Sequence, residues 1–352
     1  MAPSVPARVA VLLPTLNGEE DLARLLPALD EQTVEHERIA VDSSSEDGTV
    51  ALLEGAGFRV TRIERHEFGH GRTRNLLAQQ TDAEFLVFLS QDATPVGPRF
   101  LAALLRPFED AEIGGAIARV LPNPDDDPLT VRTVLASPEA SDVATTRRWT
   151  NPDDYAAMDP SERADLLRFN NVASCVRRRA LEAIPFPEVP FGEDFAWAMR
   201  ALAAGWKLRF EPEAVVHHAH RYGPSAAFQR YRTDAIFHRE FHGSRIRPTL
   251  LSVAKGTLFE VKEDLKHLGR LGPFAKGVWR ALISSPFLRL AQTYGQYLGS
   301  SPGKAPAAES AAWSSARASG AIGLSPTGEV IVDASAAGPM TDSQSRLAGG
   351  RP

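Results

Sequence analysis

Short apolar segments alternate with helical patterns through the first ninety or so residues, and this alternation limits the possible folds more than any other feature. The apolar runs that predict strands are residues 8–13, 38–41, 58–62 and 84–89. Helical patterns follow at 19–29, with Asn17 as the predicted cap, at 49–56 and at 73–80. Such alternation predicts a parallel sheet with helices on both faces. Ligands of these sheets bind beyond the carboxyl ends of the strands.

Polar segments follow all four predicted strands. In chain order they are PTLNGEE, DSSSEDGT, HEFGHGRTRN and SQDATP. Carboxylates in such loops can hold a base or ribose, arginines and backbone amides can hold phosphate, and an aspartate can bind a divalent cation. Since all four segments meet at one edge of the predicted sheet, they predict a nucleotide site there.

The run RIERHEFGHGRTRN, residues 62–75, is basic and rich in glycine. We expect it to form a loop and not a buried helix or strand. Its glycines allow the backbone to approach a ligand closely. The sequence therefore predicts that this loop holds an anion.

Charge and cysteine content exclude several classes. A net charge of -5 and a pI near 6.0 argue against a general nucleic-acid-binding protein. A single cysteine, Cys175, excludes an intrachain disulfide and a thiolate metal cluster and fits a reducing compartment, so we expect a cytoplasmic protein. We expect no signal peptide, because the first apolar run is short and is interrupted by Pro14. We expect no transmembrane helix, because no apolar stretch reaches about 18 residues.

The second half of the chain is less regular. A helix is predicted at 191–205, and strands at 206–210 and at 214–220, the latter ending in histidines. Residues 250–298 have helical periodicity with interleaved basic residues, and the chain from 300 onward is rich in Ala, Ser, Gly and Pro. We therefore predict a main domain at 1–244, an amphipathic helical extension at 245–299 and a disordered tail at 300–352.

The segments PTLNGEEDL, VDSSSEDGTV, FGHGRTRN, LSQDATP and FGEDFAWAMRALAAGWKLRFEPEAVVHHAH together resemble the family 2 glycosyltransferases. The motifs HGRTRN and SQDATP are most similar to those of the bacterial rhamnosyltransferase branch. The resemblance as a whole covers about residues 9–242. It implies an α/β fold of the GT-A (nucleotide-diphospho-sugar transferase) type, a Rossmann-like mixed sheet. It also implies a nucleoside diphosphate sugar as donor and a glycan or lipid-linked saccharide as acceptor.

The resemblance implies which residues contact the donor. The first loop and Asp42 would surround the nucleoside, and Arg74 would reach the nucleotide or its diphosphate, with His70 and Arg72 assisting. The full set of implied donor contacts is Pro14, Thr15, Asn17, Glu19, Asp42, Ser44, Arg74, Asn75 and Gln91.

The metal motif departs from the family pattern. Ser90 stands where the family usually has the first aspartate of Asp-x-Asp, so Asp92 is the remaining carboxylate. We expect Asp92 and one imidazole to bind a divalent cation, Mg²⁺ or Mn²⁺, together with diphosphate oxygens. The resemblance implies His218 for the imidazole, and His220 is the next candidate. His217 is expected on the opposite face of its strand. A chance cluster of histidines is the competing interpretation.

The pair Glu193-Asp194 is the predicted acid–base locus. An inverting transfer needs a carboxylate that accepts the proton of the attacking hydroxyl. The resemblance assigns this role to Asp194, with Glu193 beside it, and places Asn170, Asn171 and Ser174 on the acceptor side. The competing interpretation is that both acids only stabilise the N-terminus of a helix.

These observations predict a metal-dependent inverting glycosyltransferase that moves a sugar such as rhamnose. The alternative is a catalytically inactive sugar-nucleotide-binding or scaffolding protein, for which Ser90 is the one hint. A nucleotidyltransferase and a dinucleotide oxidoreductase are disfavoured, because no glycine-rich basic loop and no G-x-G-x-x-G follows the first strand. The basic helical region 250–298 fits peripheral contact with the inner face of a membrane, and equally a packed extension or an oligomer contact.

Overall fold

One mixed sheet forms the centre of the protein. The computed structural model describes residues 8–149, 155, 157–301 and 312–316. Within these residues nine strands pair in one sheet, namely β1 (Val9–Thr15), β2 (Glu37–Asp42), β3 (Arg59–Arg62), β4 (Phe85–Leu89), β5 (Thr94–Pro95), β6 (Ile113–Leu121), β7 (Thr145–Arg147), β8 (Ala173–Arg177) and β9 (Lys207–His217). Their order is β3-β2-β1-β4-β8-β6-β9-β5, and β7 pairs with β9 outside this path.

The first four strands in the order are parallel, as the alternation predicts. β8 runs antiparallel to both β4 and β6, which makes the complete sheet mixed. The start of β8 therefore lies at the same edge as the carboxyl ends of β1, β2, β4, β6 and β9. That edge is where the predicted site residues meet.

Helices cover the sheet and continue beyond it. They are α1 (Glu19–Asp30), α2 (Thr49–Gly55), α3 (His70–Ala78), α4 (Phe100–Leu105), α5 (Pro128–Leu135), α6 (Pro160–Leu166), α7 (Arg178–Ala183), α8 (Glu193–Ala203), α9 (Pro224–His242), α10 (Leu250–Leu271) and α11 (Val278–Ser300). Among the described residues, none of these helices is both long and apolar enough to cross a membrane.

Both faces of the sheet are buried. Successive residues of β1 alternate between two core clusters, with Leu12 in one and Val11 and Leu13 in the other. The apolar face of α1, formed by Leu22, Leu25, Leu26 and Leu29, packs into the second cluster. A sheet that is buried on both faces explains why its strands are nearly continuous apolar runs in the sequence.

Three local predictions are wrong. The N-cap of α1 is Gly18 and not Asn17. α3 begins at His70, so the last part of the predicted basic loop is helical. The two predicted strands at 206–210 and 214–220 are one strand, β9, which ends at His217. It bulges where the register with β6 jumps from Glu211 to Val215, because Pro212 cannot donate a hydrogen bond to the ladder.

The predicted helical extension consists of α10 and α11, which pack on α9 and α5 through small and charged residues. At Gly299 of α11 a Cβ atom would lie 2.3 Å from the Arg232 carbonyl oxygen, so α9 and α11 approach closely only with glycine there. Residues 312–316 form a helical turn, and Trp313 within it packs against Phe237 of α9. These five residues belong to the predicted disordered tail, as do Ser300 and Ser301 at the end of α11. The rest of the tail lies outside the described residues.

Candidate active site

The loops after β1 and β2 are joined through Asp42, which is fully buried. Its Oδ2 accepts hydrogen bonds from the hydroxyls of Thr15 (3.0 Å) and Ser45 (2.5 Å), and its Oδ1 accepts one from the Ser45 backbone N–H (2.9 Å). The structure thus brings together Asp42 and Thr15, as predicted, and uses both carboxylate oxygens to hold the loops. Contact between Asp42 and a nucleoside stays a prediction.

Two residues of these loops adopt left-handed backbone conformations, Asn17 with φ 47° and Ser44 with φ 63°. Such conformations cost about 1 kcal/mol each for residues other than glycine. Asn17 is held there by its N–H, which donates to Ser45 Oγ, and by its Oδ1, which accepts from the Glu46 N–H. Ser44 donates to the Ile63 carbonyl. The loops therefore have one defined shape at the edge of the sheet.

Glu19 and Gln91 complete this arrangement. Glu19 accepts from the Gly48 N–H at 2.9 Å. The Gln91 side chain accepts from the Leu16 N–H at 2.9 Å and donates to the Leu16 carbonyl at 3.2 Å. Gln91 thereby ties the segment after β4 to the segment after β1, which ends with Pro14 and Thr15.

Asp92, His218 and His220 form a cluster with metal-ligand spacing. Asp92 Oδ2 lies 3.3 Å from His218 Nε2 and 3.6 Å from His220 Nδ1, and one ligand atom from each residue lies within 4.8 Å of the others. His217 is directed elsewhere, with its Nδ1 2.6 Å from the Pro122 carbonyl oxygen. The three side chains that the sequence predicted as ligands therefore converge, although β9 ends before two of them.

The protonation of this cluster suits a cation. Burial raises the pKa of Asp92, but the hydrogen bond and charge of His218, with the charge of His220, outweigh it and hold that pKa below its usual range. Burial and the charge of His218 lower the pKa of His220. Metal ligands must be deprotonated carboxylates and neutral imidazoles. Two imidazoles with one carboxylate suit Mn²⁺ better than Mg²⁺, which prefers oxygen ligands.

Glu193 and Asp194, the first residues of α8, have different surroundings. Glu193 Oε1 accepts from Arg74 Nη1 at 2.6 Å, and both side chains are less than 10% exposed. Asn171 donates a further hydrogen bond to the same oxygen at 3.3 Å. The structure thus gives Arg74 a buried ion-pair partner, whereas the resemblance implied contact with the nucleotide.

Asp194 is only partly buried, and no cation pairs directly with it among the described residues. Its Oδ1 accepts from the Phe195 N–H at 2.9 Å and its Oδ2 from the Asn171 N–H at 3.4 Å. Burial, followed by the negative charge of Glu193, raises the pKa of Asp194 to about 7. A carboxylate with such a pKa can accept a proton near neutral pH.

The Asn75 side chain contacts the backbone of Phe186, and its contact with the donor stays a prediction. Its side-chain amide donates to the Phe186 carbonyl at 2.8 Å and accepts from the Phe186 N–H at 3.0 Å. Both ends of the amide are thus used to hold the segment that leads into α8. This places Asn75 among the residues that position Asp194.

The Asp92–His218–His220 cluster and Asp194 lie at the same edge of the sheet. The Ser90 N–H donates to the Val172 carbonyl at 2.9 Å, and the neighbouring Asn171 N–H contacts Asp194. Two residues after Ser90 the chain reaches Asp92. The sheet edge therefore presents a metal-ligand cluster and a protonatable carboxylate side by side.

Arg230 of α9 is a site residue that the sequence analysis missed. Its guanidinium lies 5.0 Å from the centre of the Phe191 ring, and its Nε lies 3.3 Å from Asp234 Oδ2. Its positive charge helps to lower the pKa of both His70 and His220 after the larger effect of burial, so it lies near both. Only the fold distinguishes it from other helical arginines.

The fold is of the GT-A type. A mannosyltransferase from Pyrobaculum calidifontis, solved with GDP-Man and Mn²⁺, shares the fold with a TM-score of 0.50 and 18% identity, covering 83% of this chain and 88% of that one. Residues 10–183 match the sequence model of glycosyl transferase family 2. These residues form a glycosyl transferase family 2 domain.

Two curated relatives match most of the chain. The O-antigen chain rhamnosyltransferase RfbN of Salmonella typhimurium is 29% identical over 308 residues, which cover 84% of this chain and 90% of the relative. The O-antigen chain rhamnosyltransferase WbaN of Salmonella anatum is 29% identical over 310 residues, covering 84% and 88%. Both matches extend beyond the family model into the C-terminal helices.

Proposed function

We propose that this protein transfers rhamnose from a nucleoside diphosphate donor to a growing glycan, with inversion at the anomeric carbon. The observation that carries the proposal is the placement of the Asp92–His218–His220 cluster beside Asp194 at one sheet edge. The similarity to two O-antigen chain rhamnosyltransferases along most of their length supports the choice of rhamnose and of a glycan acceptor.

In the proposed reaction the acceptor hydroxyl loses its proton to the Asp194 carboxylate. The acceptor oxygen then bonds to the anomeric carbon as the bond from that carbon to the diphosphate oxygen breaks. A single displacement from the opposite face inverts the configuration. Because the pKa of Asp194 is about 7, a substantial fraction is ionised at neutral pH and ready to accept the proton.

Glu193 is proposed to act through position and charge and not as the base. Its carboxylate is held in a buried ion pair with Arg74, whereas no such pair engages Asp194 among the described residues. The pair holds the start of α8, and the negative charge of Glu193 helps to keep the pKa of Asp194 high. Arg74 is therefore a positioning residue in this proposal.

Asp92, His218 and His220 would hold a divalent cation, for which Mn²⁺ is the better fit. The chemistry that such an ion supplies is stabilisation of the negative charge on the departing diphosphate. Arg230, with its side chain 46% exposed beside the cluster, would add a charged hydrogen-bond donor to the diphosphate. The loops held by Asp42, Asn17 and Gln91 would receive the nucleoside.

We also propose that the protein acts in the cytoplasm on a glycan carried by a membrane lipid. The support is the reducing compartment that the single cysteine indicates and the glycan chain named for the relatives.

The test is a panel of nucleotide sugars assayed for binding, hydrolysis and transfer with Mn²⁺, Mg²⁺ or EDTA. Wild type is compared with Asp92→Asn and Asp194→Asn, and with Asp82→Asn, an exposed acid outside the site, as the control. We expect rhamnose donors to be consumed only with metal, and Asp194→Asn to bind donor without turnover. Tight donor binding without turnover, unaffected by EDTA, would instead indicate an inactive binding protein.

A further inference from the structure

The outer surface of the α10–α11 hairpin is apolar and lacks a partner among the described residues. Three leucines of α10 and three large side chains of α11 are each at least half exposed, namely Leu251, Leu258, Leu265, Trp279, Ile283 and Phe287. We call this set the hairpin face. At the tip between the helices Phe274 is fully exposed. Contiguous apolar surface of this kind marks a binding surface in soluble proteins.

Helix geometry places the exposed apolar side chains of α10 and those of α11 on the same side of the hairpin. The two helices meet through Asp264 with Ser285 and Arg289, and through Thr257 with Thr293. In α10, Leu258 follows Thr257 and Leu265 follows Asp264. In α11, Leu290 follows Arg289 in the same way. One residue turns a helix by about 100°. Because the helices are antiparallel, the same turn from the seam directs both stripes to the same side.

Basic residues border the hairpin face. Exposed cations lie along the outer edge of α10, in the hairpin tip and at the start of α11, namely Lys255, Lys262, Lys266, Arg270, Lys276 and Arg280. The acidic residues of the two helices are largely occupied elsewhere. Asp264 is buried with Arg289, Glu260 pairs with Arg132, and only Glu263 pairs with one of the border cations, Lys266.

We propose that the hairpin face binds the surface of an anionic membrane. An apolar strip bordered by cations is typical of helices that lie in the membrane–water interface. Aromatic side chains of such helices lie at the level of the lipid headgroups. A second copy of the chain fits less well, because two hairpin faces in contact would bring their basic borders together. The inference rests on the proposed function in one respect, namely that membrane binding would bring the site to a lipid-linked acceptor.

Tryptophan fluorescence gives a specific readout of this surface. Of the five tryptophans in the chain, Trp279 is 63% exposed, whereas Trp149, Trp197, Trp206 and Trp313 are at most 6% exposed. Insertion of the hairpin face should therefore shift Trp279 emission to shorter wavelength and protect it from acrylamide. Trp279→Phe should remove this signal and leave most of the binding intact.

The experiment is flotation of the full chain with vesicles of phosphatidylcholine alone or with phosphatidylglycerol. We expect binding to the anionic vesicles and at least about tenfold less binding for Ile283→Asp combined with Phe287→Asp. Each neutralised lysine, as in Lys262→Gln, should weaken binding about fivefold at low salt. Val143→Asp, at a side chain that is 62% exposed outside the hairpin face, is the matched control.

Two results would overturn the inference. One is equal binding to neutral and anionic vesicles, or none to either. The other is a dimer in solution that the Ile283→Asp and Phe287→Asp pair converts to a monomer, which would assign the hairpin face to a second copy. Donor hydrolysis by the same variants is measured in parallel and should be unchanged. If the wild-type protein hydrolyses no donor, that result counts against the proposed function and not against membrane binding by the hairpin face.

Discussion

Glu193 and Asp194 are adjacent in the chain but differ in their chemistry because of their partners. Glu193 lies against a guanidinium from α3, while the donors that Asp194 meets among the described residues are backbone N–H groups. Burial and the neighbouring charge of Glu193 raise the pKa of Asp194. This difference supports the proposal that Asp194 accepts the proton.

The raised pKa of Asp194 predicts the pH dependence of transfer. The base acts as the carboxylate, so kcat/KM should fall as pH decreases through about 7. Asp194→Asn should lower kcat by about 10²- to 10⁴-fold. Glu193→Gln removes the neighbouring negative charge and should move the midpoint of the pH–rate profile to lower pH. A midpoint that moves upward would contradict the assignment of the base.

Removal of one histidine from the metal cluster should weaken metal binding selectively. His218→Ala is expected to reduce Mn²⁺ affinity by at least about tenfold, since even outer partners of metal ligands have effects of that size. Titration calorimetry of the protein without donor measures this directly. His217→Ala is the matched control, because that ring contacts the Pro122 carbonyl and not the cluster. Equal losses in both variants would argue against a metal site.

At the scale of elements, the C-terminal helices are joined by a buried charge network. Asp264 of α10 is fully buried and accepts two hydrogen bonds from Arg289 of α11, each at 2.8 Å. It also pairs with Arg132 of α5 at 2.5 Å and accepts from Ser285. One carboxylate therefore contacts two cations and links three helices, although Arg132 also pairs with Glu260.

Asp264→Ala should strongly destabilise the packing of these helices. It leaves two cations without their shared partner, and breaking a buried pair costs about 3–5 kcal/mol. Urea denaturation followed by circular dichroism measures the loss. Glu263→Ala, which removes an exposed pair with Lys266, should change the free energy of unfolding by less than about 1 kcal/mol. Similar effects of the two substitutions would show that the network is not a stabilising link.

At the scale of the whole molecule, a buried histidine affects stability in acid. His242 is 3% exposed, lies among Phe195, Phe237 and Phe241, and has no hydrogen-bond partner for either ring nitrogen among the described residues. Burial, with the charges of His238 and Arg163, lowers the pKa of His242 to about 3. The folded protein therefore excludes a proton that the unfolded chain binds below about pH 6.5.

The lower pKa of His242 in the folded state predicts that its contribution to stability is retained above about pH 6.5 and lost as pH falls toward 3. The loss is at most about 1.4 kcal/mol per pH unit for one group. His242→Phe should reduce the difference between the free energies of unfolding at pH 7.5 and pH 5. The control is His66→Phe, at an exposed position. An unchanged pH dependence in His242→Phe would show that other groups control acid unfolding.

Much of the fold could be predicted because its determinants are local. The four parallel strands and α1 were correctly located, since apolar runs and helical periodicity depend on nearby residues alone. The errors arose where local and distant preferences disagree. α3 begins at His70 within a run of polar and glycine residues that has low helical preference, and β9 continues through Pro212 because β6 pairs with it on both sides of the bulge.

The sequence by itself determined the strand–helix order of about the first ninety residues, the resemblance to the family and the residues Asp92, Asp194 and His218 as candidates, because motifs and periodicity are carried by short segments. Only the tertiary structure decided their chemistry. Arg74 meets Glu193 across 119 residues of chain, which separates the roles of two adjacent acids. Arg230 comes to the site, and the hairpin face is left exposed, through the packing of helices that are distant in sequence. Such effects depend on desolvation and on distances between segments, which no local pattern encodes.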